Sequence, residues 1–127
     1  MEEPKRILIV DDDCMILTAV EISLISINSS RYIIETAKNG KEALEKLAKS
    51  DKYVGIITDI EMPLMGGIDF IKELKNNGRQ YPTIFISRNS DYRYEVGSIG
   101  LPKGSYTFLE KPFSTDELCK EAERLFR

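Results

Sequence analysis

Short apolar runs and helix-spaced segments alternate five times along this chain, with no long linker or low-complexity stretch between them. Alternation of this kind implies a parallel sheet whose strands are joined by right-handed helical crossovers. Ile7–Val10 is a continuous apolar run, as expected of a strand covered on both faces. Ile16, Val20, Leu24 and Ile27 then recur at helical spacing, and Asn28-Ser29-Ser30 breaks that helix. Tyr32–Ala37 reads as a more mixed strand, nearer an edge. Asn39-Gly40 is a turn, and Ala43, Leu44, Leu47 and Ala48 mark a second helix. Val54–Thr58 is a third strand, followed by a Pro/Gly-punctuated loop over Met62–Gly67. Ile68, Ile71 and Leu74 mark a third helix that closes near Asn76-Asn77-Gly78. Thr83–Ile86, ending at Ser87, and Tyr106–Leu109 are the last two strands. Ser114-Thr115-Asp116-Glu117 has the spacing of a capping box and opens a final helix with Leu118, Ala122 and Leu125 on its inner face.

One stretch resists the pattern. A helix is expected between Ser87 and Tyr106, yet Gly97, Gly100, Pro102 and Gly104 fall there. Gly costs about 1 kcal/mol and Pro about 3 kcal/mol in a helix interior. At most a short helix near Tyr92–Val96 is expected, followed by chain that is mobile or irregular. The fold class that accommodates these elements is α/β: a flavodoxin-like, doubly wound, five-stranded parallel sheet of order 2-1-3-4-5 with an irregular or shortened fourth helix. At 127 residues the chain fits a single domain spanning residues 1–127, able to bury roughly two-thirds of its surface without disulfides.

Composition narrows the chemistry. The net charge of -3 argues against a nucleic-acid surface, which usually carries a basic excess. Cys14 and Cys119 form neither a C-x-x-C pair nor a zinc spacing, and read as buried or half-buried thiols in a reducing compartment. The start, Met1-Glu2-Glu3-Pro4, lacks the basic residues of a signal peptide, and no apolar run reaches the ~20 residues a bilayer span needs. No membrane contact and a cytoplasmic location are the resulting expectations. The absence of histidine excludes histidine-based triads, H-E-x-x-H zinc sites and a phosphohistidine acceptor. Carboxylates, hydroxyls and lysine remain.

Those groups sit at strand ends, where open α/β sheets bind ligands. The first strand runs into Asp11-Asp12-Asp13, the third delivers Asp59, the fourth ends at Ser87, and the fifth runs into Lys111-Pro112. The expected strand order brings Asp11, Asp12 and Asp59 into one pocket, with Ser87 and Lys111 at its other side. Converging carboxylates repel one another, and a divalent cation such as Mg²⁺ relieves that repulsion. A carboxylate can also attack phosphorus to form an aspartyl-phosphate, with a lysine ammonium and a hydroxyl stabilising the transferred group. Each residue alone has a plainer role. Asp11–Asp13 would cap a helix, Asp59 would serve a turn, and Lys111-Pro112 would be a surface loop. Their joint placement at four strand ends is what favours a site.

At this point the chain resembles the receiver domain of two-component response regulators over nearly its whole length. The resemblance rests on Ile7-Leu8-Ile9-Val10-Asp11-Asp12, on Asp59-Ile60-Glu61-Met62-Pro63-Leu64-Met65-Gly66-Gly67 in the pattern D-x-x-M-P-x-M-x-G, on Ser87, and on Phe108-Leu109-Glu110-Lys111-Pro112-Phe113. It implies that Asp59 accepts a phosphoryl group from a sensor histidine kinase, a phosphotransfer protein or a small phosphodonor. It implies Mg²⁺ held by Asp11, Asp12, Asp59 and the backbone carbonyl of Glu61. Ser87 would be the switch hydroxyl, Lys111 would pair with the phosphoryl group across a cis bond to Pro112, and Phe108 would be the switch aromatic. The readout would pass through the face formed by the fourth and fifth helices and the fifth strand to a downstream protein target or an output domain. The resemblance leaves room for a homodimer formed on phosphorylation. Such a chain is not an enzyme beyond phosphorylating and dephosphorylating its own aspartate.

Three features depart from the family's pattern or tune it. Arg88 replaces the usual small residue after Ser87; it crowds the pocket mouth or adds a cation there, and is expected to slow entry of small phosphodonors. The Gly/Pro-rich fourth-helix region bears on the readout face. Glu61 and Asn89 hold positions that tune phosphoryl lifetime in the family. Two alternatives compete. One is a phosphatase of the haloacid dehalogenase type, with Asp11-x-Asp13 as its D-x-D pattern and Asp11 as nucleophile. The other is a degenerate receiver that binds partners without phosphorylation. The end at Arg127, directly after the last helix, fits both a single-domain regulator and a receiver from a longer protein.

Overall fold

The computed structural model describes residues 4–27, 31–50 and 52–126. The break expected at Asn28-Ser29-Ser30 lies outside the described residues. In chain order the elements are β1 (Lys5–Val10), α1 (Cys14–Ile27), β2 (Tyr32–Ala37), α2 (Gly40–Lys49), β3 (Tyr53–Asp59), α3 (Gly67–Asn76), β4 (Thr83–Ser87), α4 (Tyr92–Gly97), β5 (Tyr106–Glu110) and α5 (Thr115–Leu125). The strands form one parallel sheet of order β2-β1-β3-β4-β5, the doubly wound order expected from the sequence.

The continuous apolar runs are explained by two cores, one on each face of the sheet. Successive side chains of a strand point to opposite faces. Leu8 and Val10 enter the core beneath α2, α3 and α4, whereas Ile7 and Ile9 enter the core beneath α1 and α5. β4 divides in the same way, with Phe85 on the first side and Ile84 and Ile86 on the second. Fully burying each such side chain contributes roughly 1.5–3 kcal/mol, so the central strands anchor everything attached to them. At Gly55 in β3 a Cβ would lie 2.2 Å from the Phe126 ring, so glycine admits that aromatic against the sheet.

Helix starts follow local chemistry. The Asn39 side chain accepts the Glu42 amide at 2.9 Å and caps α2. Ser114 and Glu117 form the expected reciprocal capping box at the start of α5, with bonds of 3.0 and 3.3 Å. α4 has only six residues, and Gly100 and Gly104 beyond it adopt φ values of +85° and +84°. The segment is nonetheless tied down. Val96 and Ile99 are buried, and Lys75 Nζ donates to the Ile99 carbonyl at 3.0 Å.

One expectation fails. Cys119 is half-buried, but Cys14 is exposed at the first position of α1. The inner face of that helix is set by Val20 and Leu24, with Ile16 at its edge. At 100° per residue Cys14 falls about 200° from Ile16, on the solvent side.

Candidate phosphoryl-transfer site

Register decides which side chains meet. Val10 pairs with Thr58 across β1 and β3, so the chain delivers Asp11 and Asp59 from neighbouring strand ends. Ser87 pairs with Glu110 across β4 and β5, and its carbonyl accepts the Lys111 amide at 2.8 Å. These four residues, with Asp12, Asp13, Glu61 and Arg88, line one cleft of about 270 Å³ at the carboxyl edge of the sheet.

Asp11 and Asp59 are both buried, whereas Asp12 is exposed. One carboxylate oxygen from each of the three lies within 4.8 Å of the others. Asp11 Oδ1 accepts the Asp13 amide at 2.9 Å, and Asp11 Oδ2 lies 3.1 Å from Lys111 Nζ. The same ammonium is 3.4 Å from Asp59 Oδ1, so a single cation serves two carboxylates. Burial pushes Asp59 up to about 6, with the neighbouring Asp11 carboxylate adding to the rise and Lys111 opposing it. Asp11 is also raised, again chiefly by burial. At neutral pH Asp59 is still largely ionised, as a nucleophile must be.

The remaining residues have distinct jobs. Asp13 is exposed, and its Oδ1 accepts the Met15 amide at 2.9 Å, a helix cap for α1. Ser87 is buried, and its hydroxyl oxygen accepts the Asn89 amide at 3.0 Å, leaving its own proton free to donate. The Asn89 side chain in turn accepts the Asp91 amide at 3.0 Å. The Lys111–Pro112 bond is cis. Glu61 is exposed at the cleft wall.

The loop behind Asp59 depends on glycine. A Cβ on Gly67 would lie 2.2 Å from the Asp59 carbonyl oxygen, and the Gly67 amide donates to the Ile60 carbonyl at 3.0 Å. The paired glycines thus let α3 start directly against the end of β3, which fixes Asp59.

Phe108 is not in the cleft. Its ring is buried in the core beneath α4, and the Arg93 guanidinium carbon stands 4.6 Å from the ring centroid. This pairing was not foreseen from the sequence, because fifteen positions separate the two residues and no spacing rule connects them. A second cleft of about 440 Å³, lined by Ile16, Ala19, Val20 and Phe113 among others, adjoins the acidic one and shares Arg88 and Lys111 with it. The sequence identified the inner face of α1 but gave no sign of this groove.

This arrangement matches known proteins across the whole fold. A family model for the response regulator receiver domain matches residues 7–123. The response regulator MprA of Mycolicibacterium vanbaalenii is 33% identical over 124 residues, 98% of this chain and 51% of the relative. The MprA protein of Mycobacterium ulcerans is 34% identical over 122 residues, 96% of this chain and 50% of the relative. The chain spans about half the length of the curated relatives it matches. Among solved structures, the chemotaxis protein CheY4 of Vibrio cholerae superposes with a TM-score of 0.81 at 28% identity, covering 96% of this chain and 98% of that one. The receiver domain of the sensor histidine kinase PA1611 of Pseudomonas aeruginosa, which holds a magnesium ion in its active-site cleft, superposes at 0.80 with 25% identity over 97% of this chain and 98% of that one. Nothing in these likenesses favours the dehalogenase-type or the degenerate reading. With the strand order, the acidic cleft and the family match in agreement, the chain belongs to the response regulator receiver domain family.

Proposed function

We propose that this chain is a phosphoacceptor receiver, in which Asp59 takes a phosphoryl group from a sensor histidine kinase, a phosphotransfer protein or a small phosphodonor. The observation that carries this reading is the shared ion pair: one Lys111 ammonium reaches both Asp11 and Asp59 in a cleft that also holds Asp12 and Ser87. A carboxylate oxygen of Asp59 attacks phosphorus, its new P–O bond forming as the bond to the donor breaks, and the donor leaves with the electron pair. Lys111 offers its positive charge to the phosphoryl oxygens, and Ser87 offers its hydroxyl proton. Asp11 lies beside them and holds Lys111 in place.

The three clustered aspartates are hard oxygen donors of the kind Mg²⁺ prefers, so Asp11, Asp12 and Asp59, with the Glu61 carbonyl, would hold that ion. When bound, it supplies charge neutralisation at the phosphoryl group and among the carboxylates. Glu61 and Asn89 flank the approach of water and tune how long the aspartyl-phosphate survives.

Phosphorylation would draw Ser87 toward the new group and shift the loop it anchors through Asn89. Phe108, on the strand next to Ser87, would follow, biasing a two-state surface formed by α4, β5 and α5. A downstream protein target or output domain reads that surface, and homodimerisation on phosphorylation is part of the same reading. So are a single receiver unit over residues 1–127, no chemistry on other substrates, and a cytoplasmic location. Among the described residues no helix is long and apolar enough to cross a membrane.

The test is incubation with Mg²⁺ and acetyl phosphate followed by intact mass. The wild-type chain is expected to gain one phosphoryl group and Asp59→Asn none. Equal gain in both, or no gain in the wild type with either acetyl phosphate or a phosphorylated kinase, would remove Asp59 from its role.

A further inference from the structure

The cleft is lined by five carboxylates, Asp11, Asp12, Asp13, Asp59 and Glu61, against two cations, Lys111 and Arg88. A phosphodonor is itself an anion, so this charge balance opposes its approach. Lys111 is committed: its side chain is only 11% exposed and it already serves Asp11 and Asp59. Arg88 is exposed, follows the buried Ser87 directly, and has no carboxylate partner among the described residues. It also lines the neighbouring groove with Ile16 and Phe113, so it stands where the two clefts meet.

Resting on the acceptor reading above, we infer that Arg88 is a specificity-determining residue that draws anionic phosphodonors to Asp59 and favours those carrying the greater negative charge. A guanidinium binds phosphoryl oxygens with a fixed fork of donors and keeps its charge at any working pH. Placed at the rim of an acidic, partly enclosed cleft, it offsets the repulsion a dianion meets there. Its exposure favours this role over the obstruction expected from the sequence, because the side chain is free to turn toward an arriving anion.

Initial rates of labelling by acetyl phosphate, a dianion at neutral pH, and by phosphoramidate, which carries less net negative charge, would be compared in the wild-type chain, Arg88→Ala and Arg88→Lys at low and high salt. Arg88→Ala is expected to slow acetyl phosphate labelling roughly threefold to tenfold at low salt and phosphoramidate labelling less. The deficit should shrink at high salt, and Arg88→Lys should keep most of the wild-type rate. Titration calorimetry with Mg²⁺ alone moves the other way: removing a nearby cation should tighten Mg²⁺ binding in Arg88→Ala. A variant that merely loosened the site would weaken both. Labelling of Arg88→Ala as fast as wild type or faster, a deficit that ignores salt and donor charge, or unchanged or weaker Mg²⁺ binding would overturn the inference while leaving Asp59 as acceptor. A wild-type chain that takes label from neither donor would overturn the inference together with the reading beneath it.

Discussion

The two ends of the sheet carry similar charges and treat them in opposite ways. Toward the amino ends, Arg6 on β1 lies 3.2 Å from Glu35 on β2, and the Tyr53 hydroxyl of β3 donates to the same carboxylate. One acid meets one base and one hydroxyl. The Tyr53 hydrogen bond holds Glu35 below the usual carboxylate range, and burial with the neighbouring Glu35 pushes the Tyr53 phenol up to about 12. At the carboxyl ends two buried acids share one ammonium, and both are raised rather than lowered. The first arrangement is complete without a ligand. The second leaves negative charge under-compensated in a cleft open to solvent, which is the condition that a cation and a phosphoryl group would relieve.

The largest consequence is in the pH dependence of stability. Between about pH 4 and pH 6 the folded chain keeps a proton on Asp59 that the unfolded chain has released. Stability should therefore fall as pH rises through that window, by roughly 2–3 kcal/mol, and level off above it. Asp59→Asn should flatten the fall. Mg²⁺ should raise Tm at about pH 7.5 and do far less at about pH 4.5, where the acid is protonated. Urea melts across pH, with and without Mg²⁺, check this. A flat wild-type profile, or an equal Mg²⁺ effect at both pH values, would erase the difference between the two ends.

The smaller consequence concerns the other end. Tyr53→Phe removes one hydrogen bond to a half-exposed carboxylate and should cost about 1 kcal/mol in urea unfolding. It should leave the Mg²⁺ response unchanged. A gain in stability, or a weakened Mg²⁺ response, would show that the amino end is not the settled arrangement described above.

The same contrast explains what the sequence could and could not reveal. Strand ends are legible because continuous apolar runs such as Ile7–Val10 end abruptly in acids, and because alternating elements imply a doubly wound parallel sheet, for which five strands suggest the order 2-1-3-4-5. Asp11, Asp12, Asp59, Ser87 and Lys111 were therefore foreseen as neighbours, and they line one cleft. Of the acids Asp11–Asp13, whose plainer role is to cap a helix, Asp13 is the one whose side chain caps α1. The short α4 was legible from Gly97, Gly100, Pro102 and Gly104, since each disfavours a helix interior. What escaped depends on side chains meeting across elements. The Arg6–Glu35–Tyr53 group joins three strands, the Arg93 stack on Phe108 joins α4 to β5, and the shared wall at Arg88 joins two clefts. None has a spacing signature. Residue type alone makes Cys14 a buried thiol, whereas its angular position on α1 points it outward.

The most direct measurement of the central claim is to trap the acyl phosphate. After labelling with Mg²⁺ and acetyl phosphate, borohydride reduces an aspartyl-phosphate to homoserine, and peptide mass spectrometry locates the altered residue. Homoserine at position 59 alone is the expected result. Homoserine at position 11, 12 or 13, with Asp59 unaltered, would contradict the account and turn the cleft toward a hydrolase-type nucleophile.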